Sequence, residues 1–73
     1  MTIEITRRMV YGTQLNTYTF IGKDDAYLGA LQEYGGDYLY TQPNGLERTL
    51  PPTTLRDAFH EIAKYWKENS IFA

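Results

Sequence analysis

A chain of 73 residues is one domain, 1–73, with room for a single small core. It has no Cys and one His, which removes disulfides, thiolate metal sites, a Cys nucleophile and a multi-His metal centre together. Seven Lys and Arg against nine Asp and Glu give a net charge of −2, not the basic footprint of a general nucleic-acid binder. No apolar run approaches the length of a membrane span. The first residues alternate in polarity and do not form the apolar block of an export signal, so the expected setting is cytoplasmic with no membrane partner.

The outlying feature is aromatic content. Seven Tyr, three Phe and one Trp stand beside a single Val, a single Ser and nine Thr. Tyr carries a ring that favours burial and a hydroxyl that needs a partner. A Tyr surplus therefore fits surfaces that are half covered, or covered when something binds.

Residues 2–11 alternate with period two: Ile3, Ile5, Met9 and Tyr11 fall on one face, and Thr2, Glu4, Thr6, Arg8 and Val10 on the other. That pattern predicts a strand, with Arg7 the charged residue on its apolar face. After a break at Gly12, residues 15–21 predict a second strand, and the two together an antiparallel hairpin. Asp24 or Asp25 can cap a helix over 26–34, where Tyr27, Leu28, Leu31 and Tyr34 recur at helical spacing and Gly35 can end the run. Gly29 weakens that helix, and the rival is a hairpin turning at Gly35-Gly36.

Residues 37–42 predict a third strand, Pro43-Asn44-Gly45 a turn, and residues 46–50 a fourth strand ended by Pro51-Pro52. Thr54 with Asp57 reads as a capping pair. Leu55, Phe59, Ile62, Ala63 and Trp66 then form one helical apolar stripe opposite Arg56, Asp57, His60, Glu61, Lys64, Lys67 and Glu68. Ile71-Phe72 follows as a short apolar tail. The expected fold is thus α+β in β-β-α-β-β-α order, a mainly antiparallel four-stranded sheet with both helices on one face.

Catalytic chemistry finds little support. Ser70 lacks an elbow motif, His60 falls on the polar arc of its helix, and no glycine loop has the downstream residues of a phosphate cradle. Asp24, Asp25 and Asp37 lack the ligand alternation of a calcium loop. No catalytic, cofactor or metal residues are therefore assigned.

Binding fits better, since Tyr, Trp and Arg are the types enriched at interface hot spots. If both helices cover one sheet face, the expected partner-binding residues on the other are Tyr11, Tyr18, Tyr38 and Tyr40, with Arg7 and Arg8 at the rim. The expected function is a non-enzymatic protein-interaction module. It would serve as an adaptor or stoichiometric inhibitor of the kind phages and mobile elements carry, or would self-associate as a homodimer. The alternative is single-stranded nucleic-acid binding by sheet aromatics with Arg7 or Arg8.

Overall fold

The computed structural model of the chain describes residues 1–50 and 54–69. Five strands are followed by one helix: β1 (Thr2–Val10), β2 (Thr13–Ile21), β3 (Tyr27–Tyr34), β4 (Asp37–Thr41), β5 (Glu47–Leu50) and α1 (Leu55–Glu68). The strands form a single antiparallel sheet in chain order, each paired with its sequence neighbours. This corrects the expected four strands and two helices: the order is β-β-β-β-β-α, and residues 27–34 are a strand, not a helix. Pro51-Pro52 and the Ile71-Phe72 tail lie outside the described residues.

Turn chemistry explains the meander. Tyr11 and Gly12 take positive φ (49° and 78°) between β1 and β2, and Gly35 and Gly36 do the same (56° and 87°) between β3 and β4. Two consecutive residues of this kind match the right-handed twist of the flanking strands. After Pro43, the Gly45 amide donates to the Gln42 carbonyl (2.9 Å) and the Gln42 amide to the Leu46 carbonyl (2.7 Å), returning the chain into β5. Asp24 and Asp25 cap no helix; they sit at positive φ in the short turn Lys23–Asp25 that leads into β3.

The helical spacing of Leu28 and Leu31 has a strand explanation. Thr19 pairs with Ala30 and Ile21 with Tyr27, so β3 advances three residues while β2 advances two. The extra residue is a β-bulge at Leu28-Gly29, where φ of Gly29 is 105°. The bulge reverses the parity of the strand and turns both Leu28 and Leu31 toward the core, where each is buried.

Helix α1 begins as its sequence predicts, with Thr54 Oγ1 accepting from the Asp57 amide (3.1 Å). Its buried line is Ala58, Ile62 and Trp66, while Leu55, Phe59 and Tyr65 pack on the flanks. The sheet face beneath it presents Tyr18, Phe20, Leu28, Leu31, Tyr38, Tyr40 and Leu50. Phe59 meets Tyr18 and Phe20 edge-on, Trp66 meets Phe20, and Tyr65 meets Tyr40. At the centre the Tyr40 hydroxyl donates to the Leu28 carbonyl (2.7 Å), and Trp66 Nε1 donates to the Tyr40 oxygen (2.7 Å) and the Leu28 carbonyl (3.2 Å). Every polar group of that cluster has a partner, as burial demands.

Candidate binding surface

The antiparallel register assigns each sheet residue to a face. Ile3, Ile5, Arg7 and Met9 pair with Phe20, Tyr18, Asn16 and Gln14, and so lie on the side of α1. The opposite face carries Thr6, Thr17, Gln32, Leu39 and Thr49 in one paired row, and Glu4, Thr19, Ala30, Thr41 and Glu47 in the next. It is a Thr-rich, solvated face. Leu15, paired between Arg8 and Tyr34, is its buried apolar residue. Tyr34 reaches past it to donate to the Val10 carbonyl (2.9 Å), which anchors the end of β1.

The structure therefore separates the residues expected to form one binding face. Tyr18, Tyr38 and Tyr40 are core residues on the covered side, only 6 %, 6 % and 1 % exposed. Tyr11 is fully exposed at the first turn. Arg7 and Arg8 point to opposite faces, Arg7 beside Asn16 and Arg8 beside Leu15. The rings of Tyr18 and Phe20 are enclosed by Phe59 and offer no platform for stacking a base. The physical reason is that these tyrosines find hydroxyl partners inside the domain, so their rings can be buried completely.

Two of those hydroxyls, with the Asn16 amide, converge on Glu33. Asn16 Nδ2 (2.9 Å) and the Tyr18 hydroxyl (3.1 Å) donate to Oε1, and the Tyr38 hydroxyl donates to Oε2 (2.9 Å). The Asn16 amide, aided by the two hydroxyls and opposed by burial, holds the Glu33 carboxyl below its ordinary value. Burial and then the Glu33 hydrogen bond push the Tyr18 hydroxyl up; for Tyr38 the Glu33 hydrogen bond comes first and burial second.

The signs fix the pH dependence. A depressed carboxylate stabilises the fold above its unfolded value and loses that contribution as pH falls through its folded value. A raised tyrosine contributes below its unfolded value and loses the contribution as pH rises through its folded one. Glu33→Gln is expected to cost about 1–3 kcal/mol at neutral pH, because an amide has one acceptor oxygen for three donors. It should also flatten the acid limb of stability against pH, measured by urea unfolding. An acid limb parallel to that of the parent would show that Glu33 is not the group responsible.

The uncovered surface lies at β1. Helix α1 makes its ring contacts over β2 and β4, and Tyr65 lies under the Arg48 guanidinium of β5 (5.1 Å from the ring centre). On the covered side, β1 extends beyond the helix, leaving Ile3 44 %, Ile5 50 % and Met9 66 % exposed. An apolar groove of about 220 Å³ runs between Met1 and Ile3 on one side and Phe59, Ile62, Ala63 and Trp66 on the other, with Phe20 beneath. A second, open hollow of about 550 Å³ follows Leu55, Arg56, Phe59, His60 and Ala63 along the same flank of the helix. The two flanks differ in chemistry: the hollow on the β5 side is polar, lined by Arg48, Glu61, Lys64, Tyr65 and Glu68.

This surface had a sequence signal. The apolar residues of 2–11 that alternate so regularly are the ones left bare, because the helix packs over β2 to β5 and leaves most of β1 uncovered. His60 is exposed on α1, and among the described residues no group of three His, Cys, Asp or Glu gathers as a metal site. No described helix is long and apolar enough to cross a membrane. Comparison with protein-family models, curated proteins and solved structures finds no match to this chain.

Proposed function

We propose that the protein is a non-catalytic protein-interaction module, an adaptor or stoichiometric inhibitor, that takes a second polypeptide on the free edge of β1 and the adjoining groove. The observation that carries this reading is the exposed pair Ile3 and Ile5, with Met9 beyond Arg7 on the same face, along a nine-residue edge strand. An edge strand offers unpaired backbone donors and acceptors to an added strand, and alternate side chains supply specificity. A contiguous exposed apolar patch beside it is the usual mark of an interaction surface. The test is retention of a polypeptide, from the native cell lysate or as added copies of the same chain, on the immobilised protein. The double change Ile3→Asp, Ile5→Asp should abolish retention and spare the fold, since both side chains are exposed. Equal retention by the parent and the variant, or retention by neither, would overturn the reading.

A further inference from the structure

We propose that the occupant of the β1 edge is a second copy of this chain, paired antiparallel about Thr6 so that two five-stranded sheets become one continuous sheet. This rests on the reading of β1 as a binding edge and names its partner. The two edges of the sheet are unlike. β5 has four residues, the short edge that discourages pairing, whereas β1 has nine, pairs with β2 without a register shift, and contains neither Gly nor Pro.

Symmetry restricts how two β1 strands can meet. A two-fold axis normal to the sheet brings antiparallel strands together with like faces on the same side, so the numbers of opposed residues sum to an even value. Centring the axis on Thr6, the middle of Thr2–Val10, pairs all nine residues. It sets Glu4 opposite Arg8 of the second copy, and Arg8 opposite its Glu4, on the solvated face. On the other face Ile3 meets Met9, and Arg7 lays its aliphatic stem along Ile5. Centring on Glu4, Arg7 or Arg8 opposes like charges, and centring on Ile5 leaves both arginines without an acid. The Thr6 register alone places opposite charges across the axis, the arrangement that favours a cross-strand pair. Both helices then stand on the same side, and the apolar rows of the two copies form one floor between their apolar flanks.

The test uses charge reversal at the two exposed positions, read by sedimentation velocity and light scattering across dilution. The parent chain is expected at twice its 8.5 kDa mass, shifting to the monomer on dilution. E4R or R8E alone puts like charges opposite one another twice and should weaken association on the order of tenfold or more. An equimolar mixture of E4R with R8E re-forms both opposite-charge pairs in the mixed dimer, so association should return, and the double variant should associate like the parent. A loss caused by misfolding would not be rescued by mixing. A dimer indifferent to either reversal overturns the register. A parent chain that stays monomeric into the millimolar range overturns the second copy as occupant. In that case, retention that still depends on Ile3 and Ile5 leaves the β1 edge standing for another polypeptide, and loss of both retires the two readings together.

Discussion

Replacing Gly29 by alanine is expected to unfold most of the protein at room temperature. Gly29 sits in the β3 bulge with φ of 105°, where a side chain is strained whatever space surrounds it. There is also no space: a methyl group would overlap the Thr41 carbonyl oxygen and come within 2.8 Å of the Tyr40 hydroxyl. The first obstacle is backbone of the neighbouring strand and cannot rotate away. Backbone strain of about 1–3 kcal/mol and overpacking of about 1–3 kcal/mol together rival the roughly 3–5 kcal/mol that a core of this size supplies. Gly12→Ala is the control, because Gly12 also has positive φ (78°) but nothing within 4 Å of an added methyl group. Urea unfolding followed by circular dichroism should show a modest loss for Gly12→Ala and a collapse for Gly29→Ala. Equal midpoints would mean that the close approach of β4 is unimportant.

Trp66→Ala is the second large effect, expected at about 3–5 kcal/mol. The indole closes the core against Phe20 (ring centres 5.1 Å apart) and caps the buried Tyr40–Leu28 hydrogen bond through Nε1. Its loss opens a cavity and removes a donor at once. Tyr40→Phe isolates the polar part: Trp66 Nε1 keeps the Leu28 carbonyl at 3.2 Å, so the cost should fall to about 1 kcal/mol. Thermal and urea midpoints of the two variants measure the difference. A Trp66→Ala variant within about 1 kcal/mol of the parent would show that the helix is held by its flanks and not by this residue.

Much of this architecture was legible in residue order. The alternation in 2–11 and 15–21 marks the first hairpin, Pro43-Asn44-Gly45 the turn between β4 and β5, and Thr54 the helix start, because each depends on interactions a few residues apart. The misreading of 26–34 has one cause. The bulge at Leu28-Gly29 inserts a residue into a strand and so sets Leu28 and Leu31 on one face three positions apart, which imitates helical spacing. The glycines were the discriminating signal: Gly29 opposes a helix, and Gly35-Gly36 makes a tight turn between strands.

The candidate site was legible in part. Arg7 and Arg8 lie on the edge strand now proposed to pair, but of the tyrosines expected beside them Tyr18, Tyr38 and Tyr40 line the core and Tyr11 stands exposed at the first turn. Period two shows which residues share a face and not which face a distant helix will cover. Tyr18 shares a strand face with Phe20, so the helix that covers one covers both. The partner of the Tyr18 and Tyr38 hydroxyls, Glu33, comes from a segment read as helix, so that constellation could not be assembled before the strand was known.

The meander also divides the molecule by distance along the chain. Each strand pair is closed by a short connection, so the sheet can assemble like a zipper at small entropic cost. Docking α1 is different, for the Trp66–Leu28 hydrogen bond joins residues 38 apart. The sole tryptophan thus reports, by its fluorescence, the one step that closes a long loop, whereas far-ultraviolet circular dichroism reports strands and helix alike. Coincidence of the two signals on unfolding would mark a single cooperative unit, and an earlier change in fluorescence would mark a sheet that outlives its helix.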